Sequence, residues 1–434
     1  MKESYQGFVE RASTELCEAV FGGESDLAGR ARRLDGDVFE ILKEVGLTAM
    51  SKIFARLSGK VEEEAKAEGL RVHSRTVITF NVIFGAVEVD SPYLWKQGRS
   101  MKPVKTLLGL THQGRSEPLE RALTDFGCEE SFAQAARRFE EHYGWSVDKS
   151  TVRRVTEAVA REVERHLEGR LESARKLYDT PISERPGAEV LLVELDGCDI
   201  RMGEFYRDEE GEQALHRDVG WHEVRIGLAT DLDGQEKGYV GRMGSYPEVV
   251  GQLFSLAACH GLSKETQVIG VADGAKGLRE ELAAQFPRLQ FILDRPHLKS
   301  HFYEAAEALE YKGKEREQWV EKKIACIDAG EVEAVLDQLR EEYSGKPHDR
   351  LRQLIGYVER FRDAIHYEDF KEQGFPIGSG EIESAHRFVP QKRLKIPGAC
   401  WDPDNVNPML ALRVLRANEW WGDFWRNRRL KKAA

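Results

Sequence analysis

The sequence predicts an α/β protein in which a mixed-sheet core, interrupted by a helical insertion, follows a mainly helical N-terminal region. Three observations predict it. Five short apolar, β-rich runs cluster between Glu189 and Leu298, the last two are separated by a helical pattern, and helical spacing dominates the residues on either side. A strand, helix, strand unit implies a parallel pair, while closely spaced strands before it imply a meander, so the sheet is mixed and flanked by helices.

The elements follow in chain order. In residues 1–70, Val38, Ile41, Leu42, Val45, Leu47, Met50, Ile53 and Leu57 form one stripe at helical spacing, as expected of helices that pack on each other or on a second subunit. Residues 71–115 change period: "RTVITFNVIFGAVEVDSPYLW" is β-branched and aromatic, with Gly85 and Pro92 as breakers, and predicts a small hairpin or sheet. Residues 116–180 return to helix. Two helices separated by "HYGWSVDKS" end before Gly144 and restart with Asp148 or Ser150 as N-cap, in the outline of a helix-turn-helix. Its second helix presents Lys149, Arg153 and Arg154 near its start, suited to phosphate or groove contact. Seven basic residues against six acidic ones between Ser131 and His166 fit a purely structural helical hairpin equally well. "YDTPISERPGAE" reads as a linker.

Residues 186–300 hold the strand runs, 301–372 a charged helical segment, and 373–434 a glycine loop, an acidic helix start and a basic end. With 434 residues the chain exceeds one ordinary core, consistent with about two to four domains. Six scattered cysteines without a C-x-x-C pair argue against a disulfide framework or a local zinc site. No apolar run approaches the roughly 20 residues that span a bilayer, and the charged opening is not a secretory signal, which makes the cytoplasm the default location. The formal charge of -11 disfavours polyanion binding as a whole. From Ser384 to Ala434, however, 11 lysines and arginines face 4 acidic residues, and "RNRRLKK" at the end reads as a solvated, disordered tail.

Asp196 follows "LLVEL" and precedes Gly197; Asp273 follows "VIGVA" and precedes Gly274. Each is a carboxylate expected at the end of a buried strand, where α/β sheets place their sites. Asp-Gly also begins ordinary turns, so either pair alone reads as a turn. Two such pairs, with the glutamates of "GSGEIES" on a glycine-introduced helix, point to a metal site, because carboxylate oxygens suit Mg²⁺ and two ions can serve phosphoryl transfer. Residues two apart on a helix point in different directions, so one of Glu381 and Glu383 faces the ions. The cations that follow, Arg387, Lys392, Arg393 and Lys395, would then neutralise a nucleic-acid backbone.

"VELDG", "GVADGAKGLREEL", "FILDRPHLKSHFYEAAEAL" and "IGSGEIESAHRFVPQKRLKIPGACW" together resemble the catalytic domain of bacterial insertion-sequence DDE transposases of the ISKra type, near the ISLre and Mutator-like groups. The similarity covers about Glu189 to Trp401 and extends upstream to about Arg75. It implies an RNase H-like core with a helical insertion before the last acid. It also implies Asp196, Asp273 and Glu383 as catalytic and metal-binding acids, with Asp199 as a fallback for the first, and two Mg²⁺ or Mn²⁺ ions. Asp294 and His297, in "DRPH", match an Asp-x-x-His signature and take a supporting role. The implied partners are double-stranded DNA, as element terminal repeats and target, and a second copy of the chain in a homodimer or larger assembly; the location is then nucleoid-associated when DNA is bound. Relatives often carry cysteines where this chain reads "YLWKQGRSMKP", so no zinc site is expected there. A DNA-binding regulator without catalysis and a metal-dependent nuclease without joining use the same features. A carbohydrate hydrolase leaves the basic run without a role. Trp401, Trp420, Trp421 and Trp425 are expected to pack a terminal helix.

Overall fold

In a computed structural model the described residues are 2–21, 32–107, 114–181, 187–207 and 215–433, and they form a mixed α/β protein. The chain divides into two compact units, Met1–Thr156 and Glu157–Ala434. Residues 182–186 of the linker read in "YDTPISERPGAE" lie outside the described residues.

The first unit opens with α1 (Lys2–Phe21) and the long α2 (Leu34–Ala67), followed by the hairpin β1 (Arg71–Val82) and β2 (Gly85–Lys96). Short elements β3 (Arg99–Met101), α3 (Pro103–Leu107) and β4 (Gly114–Arg115) complete a sheet of order β3-β2-β1-β4. The predicted hairpin is therefore present. Only part of the apolar stripe of α2 faces inward: Leu47 and Met50 pack against Phe54 and Phe80, whereas Leu42, Val45, Ile53 and Leu57 are exposed, and the buried line continues through Ser58, Glu62 and Ala65. The hairpin covers the C-terminal half of α2, so the buried line follows the β2 surface and includes polar groups. Ser58 donates to the Asp90 carbonyl at 2.6 Å, and Glu62 accepts two bonds from the Arg75 guanidinium at 2.8 and 2.9 Å.

Next come α4 (Glu117–Glu129), α5 (Phe132–Tyr143) and α6 (Lys149–Arg175), which continues into the second unit. The caps are those the sequence signals. Ser131 accepts from Gln134 N, Gly144 stops α5 at φ 66°, and Asp148 accepts from Ser150 N at 2.8 Å.

The second unit is built on a five-stranded sheet of order β7-β6-β5-β8-β9, formed by β5 (Val190–Arg207), β6 (Leu215–Thr230), β7 (Gly238–Arg242), β8 (Gln267–Ala272) and β9 (Leu289–Leu293). The first three are antiparallel; β5, β8 and β9 are parallel. Helix α7 (Tyr246–Cys259) contacts β5, β6 and β7, and α8 (Leu278–Gln285) is the crossover between the parallel strands. The charged segment folds as α9 (Arg295–Ala308), α10 (Gly313–Asp328), α11 (Val332–Gly345), α12 (Asp349–Arg360) and α13 (Tyr367–Glu372). Tyr367, fully buried in α13, donates to the Leu293 carbonyl at 2.9 Å and ties the end of this insertion to β9. The acidic helix α14 (Gly380–His386) follows, then α15 (Val406–Ala417) and α16 (Trp421–Ala433).

The C-terminal basic segment departs from its reading as a disordered tail, since α16 carries it. Arg428 is buried, forms a two-pronged pair with Glu162 at 2.6 and 3.0 Å, and lies over the Trp425 ring. Arg170 and Arg416 stack on Trp420 and Trp421. Planar guanidinium groups on indole faces gain cation–π attraction, which explains why arginine-rich residues form a packed helix here. Trp425 and Trp401 are buried, as expected of packing residues.

Glu62 titrates below its ordinary value of 4.5, through its bond to Lys66 and the contacts of Arg75. A depressed folded-state value contributes stability above the unfolded value that is lost as pH falls through the folded one. Glu62→Gln should therefore cost about 1–3 kcal/mol at pH 7 in urea unfolding, with the difference shrinking below about pH 4. A gap that does not change with pH contradicts this account.

Candidate active site

Parallel pairing of β5 with β8 ends at Leu195 opposite Ala272, and that of β8 with β9 ends at Ala272 opposite Leu293. The next residues are Asp196, Asp273 and Asp294, so three aspartates stand level on adjacent strands. Sharing one phase of the pleat, they share one face of the sheet. Adjacent strands are about 4.8 Å apart. Asp196 and Asp273 are each half-buried, whereas Asp294 is fully buried.

Asp196 is not at a strand end, as the sequence suggested. β5 runs on to Arg207, paired with β6 throughout, and only the parallel neighbour stops. Neither glycine after an aspartate makes a positive-φ turn. A Cβ on Gly197 would lie 2.2 Å from Glu223 Oε1, and one on Gly274 would lie 2.3 Å from the Tyr357 hydroxyl. Both glycines are close-approach positions, which removes the simple turn explanation of the Asp-Gly pairs.

Burial raises the Asp196 carboxyl, the like charge of Asp273 adds to the rise, and His386 opposes it. His386, buried on α14, places Nε2 3.7 Å from Asp196 Oδ2, and burial holds its imidazole below the ordinary range. Tyr357 reaches Asp273 and Gly274 from α12; burial first, then the Asp273 charge, holds its phenol well above the usual range. Asp273 accepts from Ala275 N at 3.0 Å.

Helix α14 carries both glutamates. Glu381 is paired with Lys237 at 2.6 Å, while Glu383 is exposed one turn before His386, within electrostatic reach of it. The pairing of Glu381 separates the two acids as the helix geometry required. Among the described residues no three His, Cys, Asp or Glu side chains stand close enough together to enclose an ion. The structure thus brings Asp196 and Asp273 side by side, with Glu383 on the helix whose His386 touches Asp196.

Asp294 has a supporting place. It caps α9, accepting from His297 N at 3.3 Å, and its other oxygen accepts from Ser379 N at 3.1 Å, fastening the loop before α14. His297 Nε2 lies 3.6 Å from Asp294 and is partly exposed. Asp199, the fallback acid, is exposed on the opposite phase of β5.

Among the cations, Arg387, Lys392 and Lys395 are exposed beyond α14, and Lys395 is within electrostatic reach of His386. Arg393 is buried with its guanidinium 4.7 Å from the centre of the Trp401 ring, so it shapes the segment from inside. Lys149, Arg153 and Arg154 lie exposed on the first turns of α6 in the first unit.

Sequence reasoning missed Glu194, His386, Tyr357 and Lys237. Glu194 is 1% exposed inside the apolar run "LLVEL", and burial pushes its carboxyl up to about 8. An acid inside such a run was a legible signal. His386 had only its spacing of three from Glu383, and Tyr357 and Lys237 had none.

The model of the Uncharacterised protein family (UPF0236) matches residues 30–433. No curated protein matches the chain. Among solved structures, the Drosophila P element transposase strand transfer complex is similar with a TM-score of 0.26 and 12% identity, over 73% of this chain and 83% of that one.

Gly274→Ala should destabilise the protein by about 1–3 kcal/mol through overpacking against Tyr357. Adding Tyr357→Leu should recover part of that loss in thermal unfolding, and equal loss with or without it would contradict the contact.

Proposed function

The chain belongs to the UPF0236 family, and we propose that it is a DDE transposase that cleaves and joins DNA at Asp196, Asp273 and Glu383. The observation that carries the reading is the placement of Asp196 on β5 level with Asp273, one residue past the end of the neighbouring parallel strand β8. The sheet supports an RNase H-like core: three antiparallel strands lead into two parallel ones, with the first strand at the centre. A helical insertion before the last acid agrees with the resemblance of the sequence to ISKra-type enzymes.

The donor chemistry fits Mg²⁺ or Mn²⁺. Two carboxylates share one face, and a cation held by them would offset the burial and the like charge of Asp273 that raise Asp196. Asp196 and Asp273 would hold the ions, and Glu383 would join them from α14. When bound, the ions supply Lewis-acid stabilisation of phosphoryl transfer. The chain's own residues orient and hold. Asp294 fastens the loop before α14 and His386 contacts Asp196, while exposed Arg387, Lys392 and Lys395 neutralise the strand beyond the acids. Water breaks a phosphodiester at the element end, leaving a 3′-hydroxyl. That hydroxyl then attacks a target phosphodiester, so one ester bond forms as another breaks. Lys149, Arg153 and Arg154 on α6 are the proposed contacts to the terminal repeats, and holding two ends calls for at least two copies of the chain.

The test uses the full chain, labelled duplex carrying element ends, and Mg²⁺, Mn²⁺ or EDTA. Asp196→Asn, Asp273→Asn and Glu383→Gln should each lose more than the roughly 10–100-fold that outer-shell partners carry, while Glu381→Gln stays near wild type. DNA binding without metal-dependent cleavage by the wild type would make the protein a regulator; nicking without joined product would make it a nuclease.

A further inference from the structure

Helix α14 has seven residues, and a helix start leaves its first backbone N–H groups without intrahelical partners. Its N-cap residue Ser379 makes no side-chain cap bond. The sheet supplies the missing acceptor instead: Glu194 Oε2 on β5 accepts from Ile382 N at 2.7 Å. Resting on the reading of Asp196, Asp273 and Glu383 as a cation site, we propose that Glu194 is a positioning residue that seats α14 on β5 and so sets where Glu383 meets the two aspartates.

Three observations carry this. Glu194 lies two residues before Asp196 on the same strand face, and the amide it holds belongs to the residue before Glu383, so one contact ties together the backbones of two of the three acids. Glu194 is 1% exposed, and its second oxygen Oε1 has no hydrogen-bond partner in the protein. A buried polar group left half-satisfied costs stability, so packing alone favours leucine at this position. The underside of α14 is closed by Ile382 and Ala385, both fully buried. Asp294 fastens the preceding loop at Ser379 N, and the two carboxyls together hold successive parts of the approach to Glu383.

Glu194→Gln keeps the shape and the acceptor; Glu194→Leu keeps the approximate volume and removes the acceptor. Mn²⁺ affinity of the full chain, read by calorimetry, should stay within about threefold of wild type in the Gln variant and fall roughly 10–100-fold in the Leu variant. Hydrogen exchange should quicken in peptides covering 379–386 in the Leu variant alone, without a lower unfolding temperature. Wild-type Mn²⁺ affinity in Glu194→Leu overturns the proposal. Asp196→Asn, measured alongside, separates the two claims: if it too binds Mn²⁺ normally, the cation reading has failed, and if it alone loses binding, only the positioning role has. Should Glu194→Leu not fold, exchange in the unsubstituted protein decides, because the contact requires the Ile382 amide to be slow, and exchange as fast as at an open helix end overturns it.

Discussion

Parallel pairing of β5 with β8 and of β8 with β9 breaks off at one level, and each strand then continues with an aspartate. Because side chains alternate strictly along a strand, a slip of one residue between β5 and β8 would put Asp196 and Asp273 on opposite faces. Both phases of β5 and β8 are buried, with Leu191, Val193 and Leu195 opposite Val268, Gly270 and Ala272 on one and Leu192 opposite Ile269 on the other. The ladder from Val190 opposite Gln267 to Leu195 opposite Ala272 thus sets the level of the two charges.

Several polar groups near the aspartates are buried. Glu194, Asp294 and His386 are all within the interior; Glu194 holds the Ile382 amide of α14, Asp294 the amide of its N-cap residue Ser379, and His386 lies on α14. Such groups are retained against their desolvation cost when they fix a geometry that apolar packing leaves loose. Here that geometry is the seating of a short helix over a sheet. The insertion takes part through Tyr357 and Tyr367, which reach back to Gly274 and to Leu293. A segment inserted between strand and acid is thus anchored at the ends of β8 and β9, beside Asp273 and Asp294.

Much of this was legible in the sequence. The five strand runs, the crossover helix, the helix stop at Gly144, the cap at Asp148 and the hairpin near Gly85 all follow from local patterns, because turn chemistry and apolar period are local properties. Asp196 and Asp273 were found by their place at the edge of apolar runs. What failed depended on partners distant in sequence. Which residues of the α2 stripe turn inward is decided by the hairpin packed on that helix, which buries the side of Leu47, Met50 and Phe54 and leaves Leu42, Val45, Ile53 and Leu57 exposed. The tail reads as solvated in the sequence because Glu162, the carboxylate partner of Arg428, is far away along the chain. Arg393 reads like its exposed neighbours until Trp401 folds beneath it. Glu194 was visible as an acid in an apolar run, but its function needed α14 in place above it.

The most direct test is anomalous diffraction at the manganese edge from crystals of the full chain soaked in MnCl₂. The account predicts density between the Asp196 and Asp273 carboxylates, with Glu383 turned toward it from α14. Manganese bound elsewhere, with that position empty while both carboxylates are free of lattice contacts, would contradict it.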